Sequence, residues 1–208
     1  MTYSRPADWT RFTLIRHAHV STGKLCGSLD LPLSPIGHRQ LDQLPSLVSN
    51  PAGPHALYSS GLTRAMSTAV AIAKWCNLEL HIEPLIAEID CGSLEGMSLD
   101  ALPHEYPQIW RQNLAQDDDD FAWPEGESYR QFRGRALVGL DRIAARHRGQ
   151  HVAVVTHTGV ITQMIGILLG RRAAAWDHHR APPFSATEID WSEDGPRSLI
   201  SFDRKPWW

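Results

Sequence analysis

The chain is poor in cysteine, has no long apolar run and carries almost no net charge. Its three cysteines, Cys26, Cys76 and Cys91, are odd in number and lack any CxxC pair. That argues against a disulfide framework or a structural zinc site and fits a reducing, cytoplasmic setting. No stretch reaches the roughly 18 apolar residues of a membrane span. The first residues, with Asp8 among polar neighbours, lack the apolar run of an export signal. A formal net charge of −3 gives no sign of a nucleic-acid or membrane partner, so any cationic pocket must be local. Apolar residues at 42% and charged residues at 21% exclude disorder and a fibrous class. A length of 208 residues closes one substantial core, and residues 1–208 read as a single domain. The eight tryptophans, Trp207 and Trp208 included, have no explanation in the sequence, which also carries no signal for an oligomeric state.

What is present is a recurring strand-to-helix unit. Arg11 to His17 is a short apolar, β-rich run that stops at polar residues and Gly23, a buried strand ending at His17. Ser34 followed by Pro35 offers an N-cap and a first helical residue ahead of Ile36, Leu41, Leu44 and Leu47. His55 to Ser60 reads as a second strand leading into a helix over Leu62 to Trp75. His151 to His157 reads as a third, followed by an apolar helix from Gly159 to Gly170. Ala186 to Trp191 and Ser198 to Phe202 are strand-like and close the chain. The expected fold is α/β: three layers, a mostly parallel central sheet with helices on both faces, and a small cap insertion at about 89–125. Within that insertion, Asp117 to Asp120 reads as a solvated loop without a ligand role.

In such sheets ligands bind beyond the carboxyl ends of the strands, where Arg16, His17, Arg64 and His157 all fall. A phosphate monoester needs its spread charge held by fixed donors, and guanidinium forks do this bidentately. The helix start after His157 adds backbone N–H groups. A histidine with one ring nitrogen tied to an acceptor and the other unprotonated attacks phosphorus. His17, aimed by the strand end, suits that role, and His157 suits stabilisation of the phosphoryl oxygens. Glu88 serves as proton donor to the leaving oxygen and then as base for water. Ser59 is a candidate phosphate donor or a turn former, and Thr158 stands beside His157.

The segments LIRHAHV (Leu14 to Val20), PLSPIGHRQ (Pro32 to Gln40), YSSGLTRAMSTA (Tyr58 to Ala69), EIDCGSLEG (Glu88 to Gly96), PEGESY (Pro124 to Tyr129) and VTHTGVI (Val155 to Ile161) resemble the histidine phosphatase superfamily, also called phosphoglycerate mutase-like. By that resemblance the phosphohistidine falls on His17, the phosphate-binding arginines on Arg16 and Arg64, the second histidine on His157 and the proton-donor glutamate on Glu88. The run CGSLDLPLSPIG (Cys26 to Gly37) makes the pattern most similar to α-ribazole phosphatase. The chain departs from the family where Ala18-His19-Val20 replaces Gly-Glu-Thr, near Gly23 where asparagine is expected, at Leu94 in place of tryptophan, and at Thr158 in place of glycine.

These readings imply a metal-independent phosphomonoester hydrolase without cofactor, acting on a small phosphorylated substrate. The alternatives are a phosphoglycerate mutase and a non-catalytic phosphate-binding module. The mutase is disfavoured because Arg111 is the only Lys or Arg between Glu88 and Glu125. A metallohydrolase built on His17, His19 and Cys26 is disfavoured because arginines stand where further ligands would. The adjacent pair His178 and His179 reads as solvent-facing.

Overall fold

The computed structural model describes residues 5–21, 23–44, 53–115, 118–170 and 180–204. One six-stranded sheet, in the order β3-β2-β4-β1-β5-β6, organises it. Its strands are β1 (Thr10–Arg16), β2 (Ala56–Ser59), β3 (Leu80–Ile82), β4 (His151–Thr156), β5 (Ala186–Ser192) and β6 (Gly195–Arg204). β1 to β4 run parallel to one another, while β5 joins β1 and β6 joins β5 antiparallel. The strand expected to end at His17 ends one residue earlier, although the His17 N–H still donates to the Thr156 carbonyl at 3.0 Å.

The helices are α1 (Pro35–Leu41), α2 (Thr63–Cys76), α3 (Leu102–Glu105), α4 (Pro107–Ala115), α5 (Tyr129–Arg146) and α6 (Thr158–Leu168). Ser34 caps α1 by accepting from the Gly37 N–H at 3.1 Å, with Pro35 at the first helical position. The helix stops at Leu41, and the expected Leu47 lies outside the described residues. α5, the longest helix, has no counterpart among the elements expected from sequence. Arginines and glycines interrupt its apolar spacing, yet a capping box joins Ser128 and Gln131 at its start.

Alternation along the central strands divides the core in two. Phe12, Leu14, Ala56, Tyr58, Val152 and Val154 pack with Phe132, Leu140 and Ile143 of α5 and Val160, Ile161 and Met164 of α6. Ile15, Leu57, Ala153 and Val155 pack with Ala65, Ala69 and Ile72 of α2. Helices thus cover both faces, and the carboxyl ends of β1, β2 and β4 come to one rim. No helix among the described residues is long and apolar enough to cross a membrane.

Between β3 and α5 the chain leaves the sheet, passing through a 3-10 turn at Gly92–Leu94 and then α3 and α4. The acidic run there is more tightly held than a solvated loop. Asp119 pairs with Arg133 at 2.5 Å with both side chains largely covered, and Asp120 pairs with Arg130 at 2.7 Å on the surface. Asp117 lies outside the described residues, as do His178, His179, Trp207 and Trp208.

Candidate active site

The rim of the sheet opens into a cavity of about 550 Å3 lined, among others, by Arg16, His17, Arg64, Glu88 and Thr158. Five of the seven residues expected from sequence therefore meet there. His157 lies just behind, fully buried, with its ring centroid 5.1 Å from that of His17. Ser59 does not join them: it is buried with no hydrogen-bond partner for its hydroxyl. Strand alternation points it to the face of Leu57, against α2. The neighbouring Ser60 reaches the site instead, its hydroxyl 2.7 Å from His157 Nε2.

The His17 tautomer is set by the backbone. Its Nδ1 lies 2.8 Å from the Ala18 carbonyl, an acceptor only, so Nδ1 carries the proton and Nε2 keeps an unprotonated lone pair. The Ala18 N–H donates to Thr68 Oγ1 at 3.0 Å, which anchors this turn to α2. Burial, and next the Arg64 guanidinium, push the imidazole down to a pKa of about 3. The ring is neutral at physiological pH. Burial likewise drives His157 well below the usual histidine range. Ser60 Oγ accepts from the Leu62 N–H at 3.4 Å and is free to donate to His157 Nε2. That leaves the proton on His157 Nδ1, which has no partner.

Arg64 is placed differently from expectation. Rather than offering an open fork, it donates through Nε to His17 Nε2 at 3.3 Å and through its terminal nitrogens to the carbonyls of Leu29 (2.8 Å) and Gly27 (2.6 Å). The N–H groups of the same loop point the other way, onto Glu95. Its carboxylate accepts from the backbone of Gly27 (3.0 Å), Ser28 (2.7 Å) and Leu29 (3.3 Å) and from Cys91 N–H at 3.0 Å. Residues 27–29 are thus clamped between a carboxylate and a guanidinium. No side chain fits at Gly27, where a Cβ would come within 2.1 Å of the Ile89 carbonyl oxygen. Arg16 keeps more freedom: one terminal nitrogen donates to the Ala181 carbonyl at 2.6 Å, and its Nε has no partner. Burial, and next Arg180, lower it to about 10, leaving it cationic at neutral pH.

Glu88 occupies the helix N-terminus that the sequence pattern offers to an anionic ligand. Its Oε2 accepts from the Gly159 N–H at 3.0 Å and its Oε1 from the Ile89 N–H at 3.1 Å. Burial raises the carboxyl pKa, with those two N–H groups and Arg64 and Arg16 opposing. The backbone carrying Glu88 is gripped by Arg135, which donates to the carbonyls of Leu85 (2.9 Å), Ala87 (2.8 Å) and Glu88 (2.8 Å) and pairs with Glu127 at 2.6 Å. Thr158 lines the cavity with its hydroxyl unpartnered.

The departures at Ala18-His19-Val20 have a structural role. His19 accepts or donates through Nδ1 to Ser34 Oγ at 2.8 Å, and its backbone is tied to Gln40 and Ser34. This fastens α1 to the loop after β1. At Gly37 a Cβ would meet the His19 carbonyl oxygen at 2.3 Å, so the contact requires glycine. Among the described residues no group of three His, Cys, Asp or Glu side chains is arranged to hold a metal ion. The cysteines are free.

Residues 12–203 match the histidine phosphatase superfamily (branch 1). The chain belongs to this superfamily. It is 32% identical over 159 residues to the "Metal-independent phosphoserine phosphatase" of Arabidopsis thaliana, covering 74% of this chain and 67% of that protein. It is 30% identical over 183 residues to the "Probable phosphoglycerate mutase GpmB" of Yersinia pestis (strain Pestoides F), covering 86% and 84%. The solved α-ribazole phosphatase from Shigella flexneri superposes with a TM-score of 0.77 at 26% identity, over 93% of this chain and 96% of that one. That neighbour agrees with the α-ribazole phosphatase pattern read in the sequence.

Ser60, Glu95, Arg135 and Thr68 act in this site and were not singled out from sequence. Glu95 lay inside a quoted motif, but its role depends on which backbone N–H groups it meets, and spacing does not carry that.

Proposed function

We propose that the protein is a phosphomonoester hydrolase working through a phosphohistidine on His17. The observation that carries this is the tautomer: Nδ1 is bound to the Ala18 carbonyl, and Nε2 keeps an unprotonated lone pair that accepts from Arg64 Nε at the cavity wall. Arg16 and Arg64 draw the dianion in, and Arg64 exchanges its contact with Nε2 for one with a phosphoryl oxygen. Nε2 then attacks phosphorus. The P–N bond forms as the P–O ester bond breaks, and protonated Glu88 gives its proton to the departing alkoxide. His157 Nδ1–H donates to the oxygens that gain charge. Glu88, now ionised, takes a proton from water, whose oxygen attacks phosphorus and releases phosphate and free His17.

This scheme requires no metal or cofactor, because fixed guanidinium groups neutralise the phosphoryl charge. Residues 89–125 serve as the cap of a single domain. The substrate is a small phosphorylated metabolite. α-Ribazole 5′-phosphate heads the candidates, supported by the sequence pattern and the Shigella flexneri neighbour. The mutase reading has the Yersinia pestis relative behind it. Against it, Arg111, the lone Lys or Arg of the cap, spends its Nε on the Pro107 carbonyl and does not line the cavity.

Release of phosphate from p-nitrophenyl phosphate, with and without EDTA, tests the scheme together with acid-quenched capture of phosphoenzyme. Turnover resistant to EDTA and a phosphoenzyme that disappears in His17→Ala are expected. Turnover undiminished by that substitution removes the scheme, and interconversion of phosphoglycerates without phosphate release establishes the mutase.

A further inference from the structure

Arg180 is an exposed cation in the wall of the cavity. Among the described residues no hydrogen bond or ion pair engages its guanidinium. The segment that follows it is fixed to the end of β1. One terminal nitrogen of Arg16 donates to the Ala181 carbonyl at 2.6 Å, and the Arg16 backbone N–H donates to the Ser185 carbonyl at 3.0 Å. The Phe184 N–H is shared between the carbonyls of Arg16 and His17, each at 3.2 Å. Ala181 and Phe184 are fully buried. Arg180 is thus the first residue beyond an anchor that is bonded to the residues beside the nucleophile. Its charge lies close enough to lower the pKa of Arg16, second only to burial. Like charges held this close repel, and an anion between them turns that cost into attraction.

The phosphoryl end of the cavity is otherwise short of open donors. Arg64 has its three nitrogens engaged by His17, Leu29 and Gly27. Arg16 has given one terminal nitrogen to Ala181, although its Nε remains without a partner. The loop after β1 adds little, since Ala18 and Val20 are apolar and the His19 imidazole is held by Ser34. A dianion spreads its charge over oxygens that each accept more than one hydrogen bond, so it has capacity left for a further fork. We infer that Arg180 is a third phosphate-binding guanidinium, closing from the mouth of the cavity on the phosphoryl group that Arg16 holds from the floor. The inference rests on the phosphomonoesterase reading for the position of that group. An exposed guanidinium stays hydrated until the anion arrives, so it draws the anion in and then shares its load. A lysine in its place keeps the charge and loses the bidentate fork.

Titration calorimetry on the full chain with inorganic phosphate, methylphosphonate and phosphonoacetate reads this contact without turnover. Arg180→Gln is expected to weaken all three by about tenfold, the scale of one charge-assisted contact. Arg180→Lys is expected to recover part of that loss. The loss is also expected to shrink severalfold between about 0.05 M and 0.5 M NaCl, because an exposed charge is screened, whereas a disturbed loop would show no such dependence. In steady-state hydrolysis of p-nitrophenyl phosphate the same factor is expected in KM more than in kcat. Phosphate affinity unchanged in Arg180→Gln overturns the inference, as does a loss that neither lysine nor salt alters. A loss confined to phosphonoacetate also overturns it, and places Arg180 against a second anionic group on the alcohol. Phosphate binding that depends on Arg180 in a protein that hydrolyses no phosphomonoester keeps the inference and removes the catalytic reading. Hydrolysis with phosphate affinity indifferent to Arg180 does the reverse.

Discussion

The floor of the cavity and its roof are built on opposite terms. On the floor, each reacting side chain is buried and held by backbone: His17 by the Ala18 carbonyl, Glu88 by the Gly159 and Ile89 N–H groups, Arg64 by two loop carbonyls. The roof helix α4 has no buried residue and meets the cavity through Trp110 and Leu114. Directional bonds fix angles and proton positions, which bond making at phosphorus requires. Non-directional apolar contact tolerates many shapes. The two sides of the cavity therefore rest on different physics, and each can be altered with a different expected signature.

The sharpest break is His17→Ala, expected to lower turnover of p-nitrophenyl phosphate by at least ~10⁴-fold, as for other covalent nucleophiles. A loss confined to KM would show that the floor merely binds. Next is Glu88→Gln, expected to cost about 10²- to 10³-fold in kcat with poor leaving groups. The pH profile gives its sign. Glu88 must be protonated to act as donor, and its pKa is raised by burial, so kcat/KM falls on the alkaline side as it ionises. If the Glu88→Gln variant keeps this alkaline limb, another group is titrating.

Third is Glu95→Gln, which replaces an all-acceptor carboxylate with an amide that presents donors to backbone N–H groups. The loop at 27–29 then loses half its clamp, Arg64 loses the carbonyls that aim it, and a displacement near 1 Å costs about 10²-fold in kcat. Steady-state kinetics with KM reported separately tests this, and an unchanged kcat would show that Arg64 is held without the loop.

A fourth test concerns stability. His17 is held neutral at about 3 in the folded chain against 6.5 ordinarily, so the unfolded chain binds more protons between those values. Its contribution is present above pH 6.5 and is lost on acidification toward pH 3, amounting to roughly 2 kcal/mol at pH 5. Urea unfolding at pH 7 and pH 5 measures this loss, which His17→Asn should reduce. The smallest expected change is at the surface pair of Arg130 and Asp120. Arg130→Ala is expected to move neither Tm nor turnover measurably, and a large effect would mean that the roof is coupled to the floor.

Much of this arrangement was legible in the sequence, and the reasons differ by element. β1 and β4 were readable because buried parallel strands are short, β-branched and bounded by turn residues, and β2 from its short apolar run ending at Ser59, Ser60 and Gly61. α1 was readable from Ser34 and Pro35. β3 was missed because only Leu80, His81 and Ile82 form it, too short to show a period. α5 was missed because its arginines serve tertiary partners, Arg133 with Asp119 and Arg135 with Glu127, which disguises an amphipathic stripe as a polar stretch. Of the site, the identities of Arg16, His17, Arg64, Glu88 and His157 were legible, and their hydrogen-bond partners were not. The exchange of Ser59 for Ser60 is a one-residue error in where a strand ends, and strand ends are what a sequence marks least well.

The strand that carries His17 lies inside the sheet, and its neighbours come from far along the chain, with Arg16 beside Thr156 on one edge and Ile15 beside Ala186 on the other. During synthesis, then, the imidazole leaves the ribosome long before the segments that complete its surroundings. A nascent chain that ends before β4 carries residue 17 and the Ala18 carbonyl that sets its tautomer, but neither the Thr156 carbonyl that takes its backbone N–H nor His157. Under the proposed scheme, reactivity toward phosphate esters therefore switches on late, once β4 and the start of α6 have joined β1.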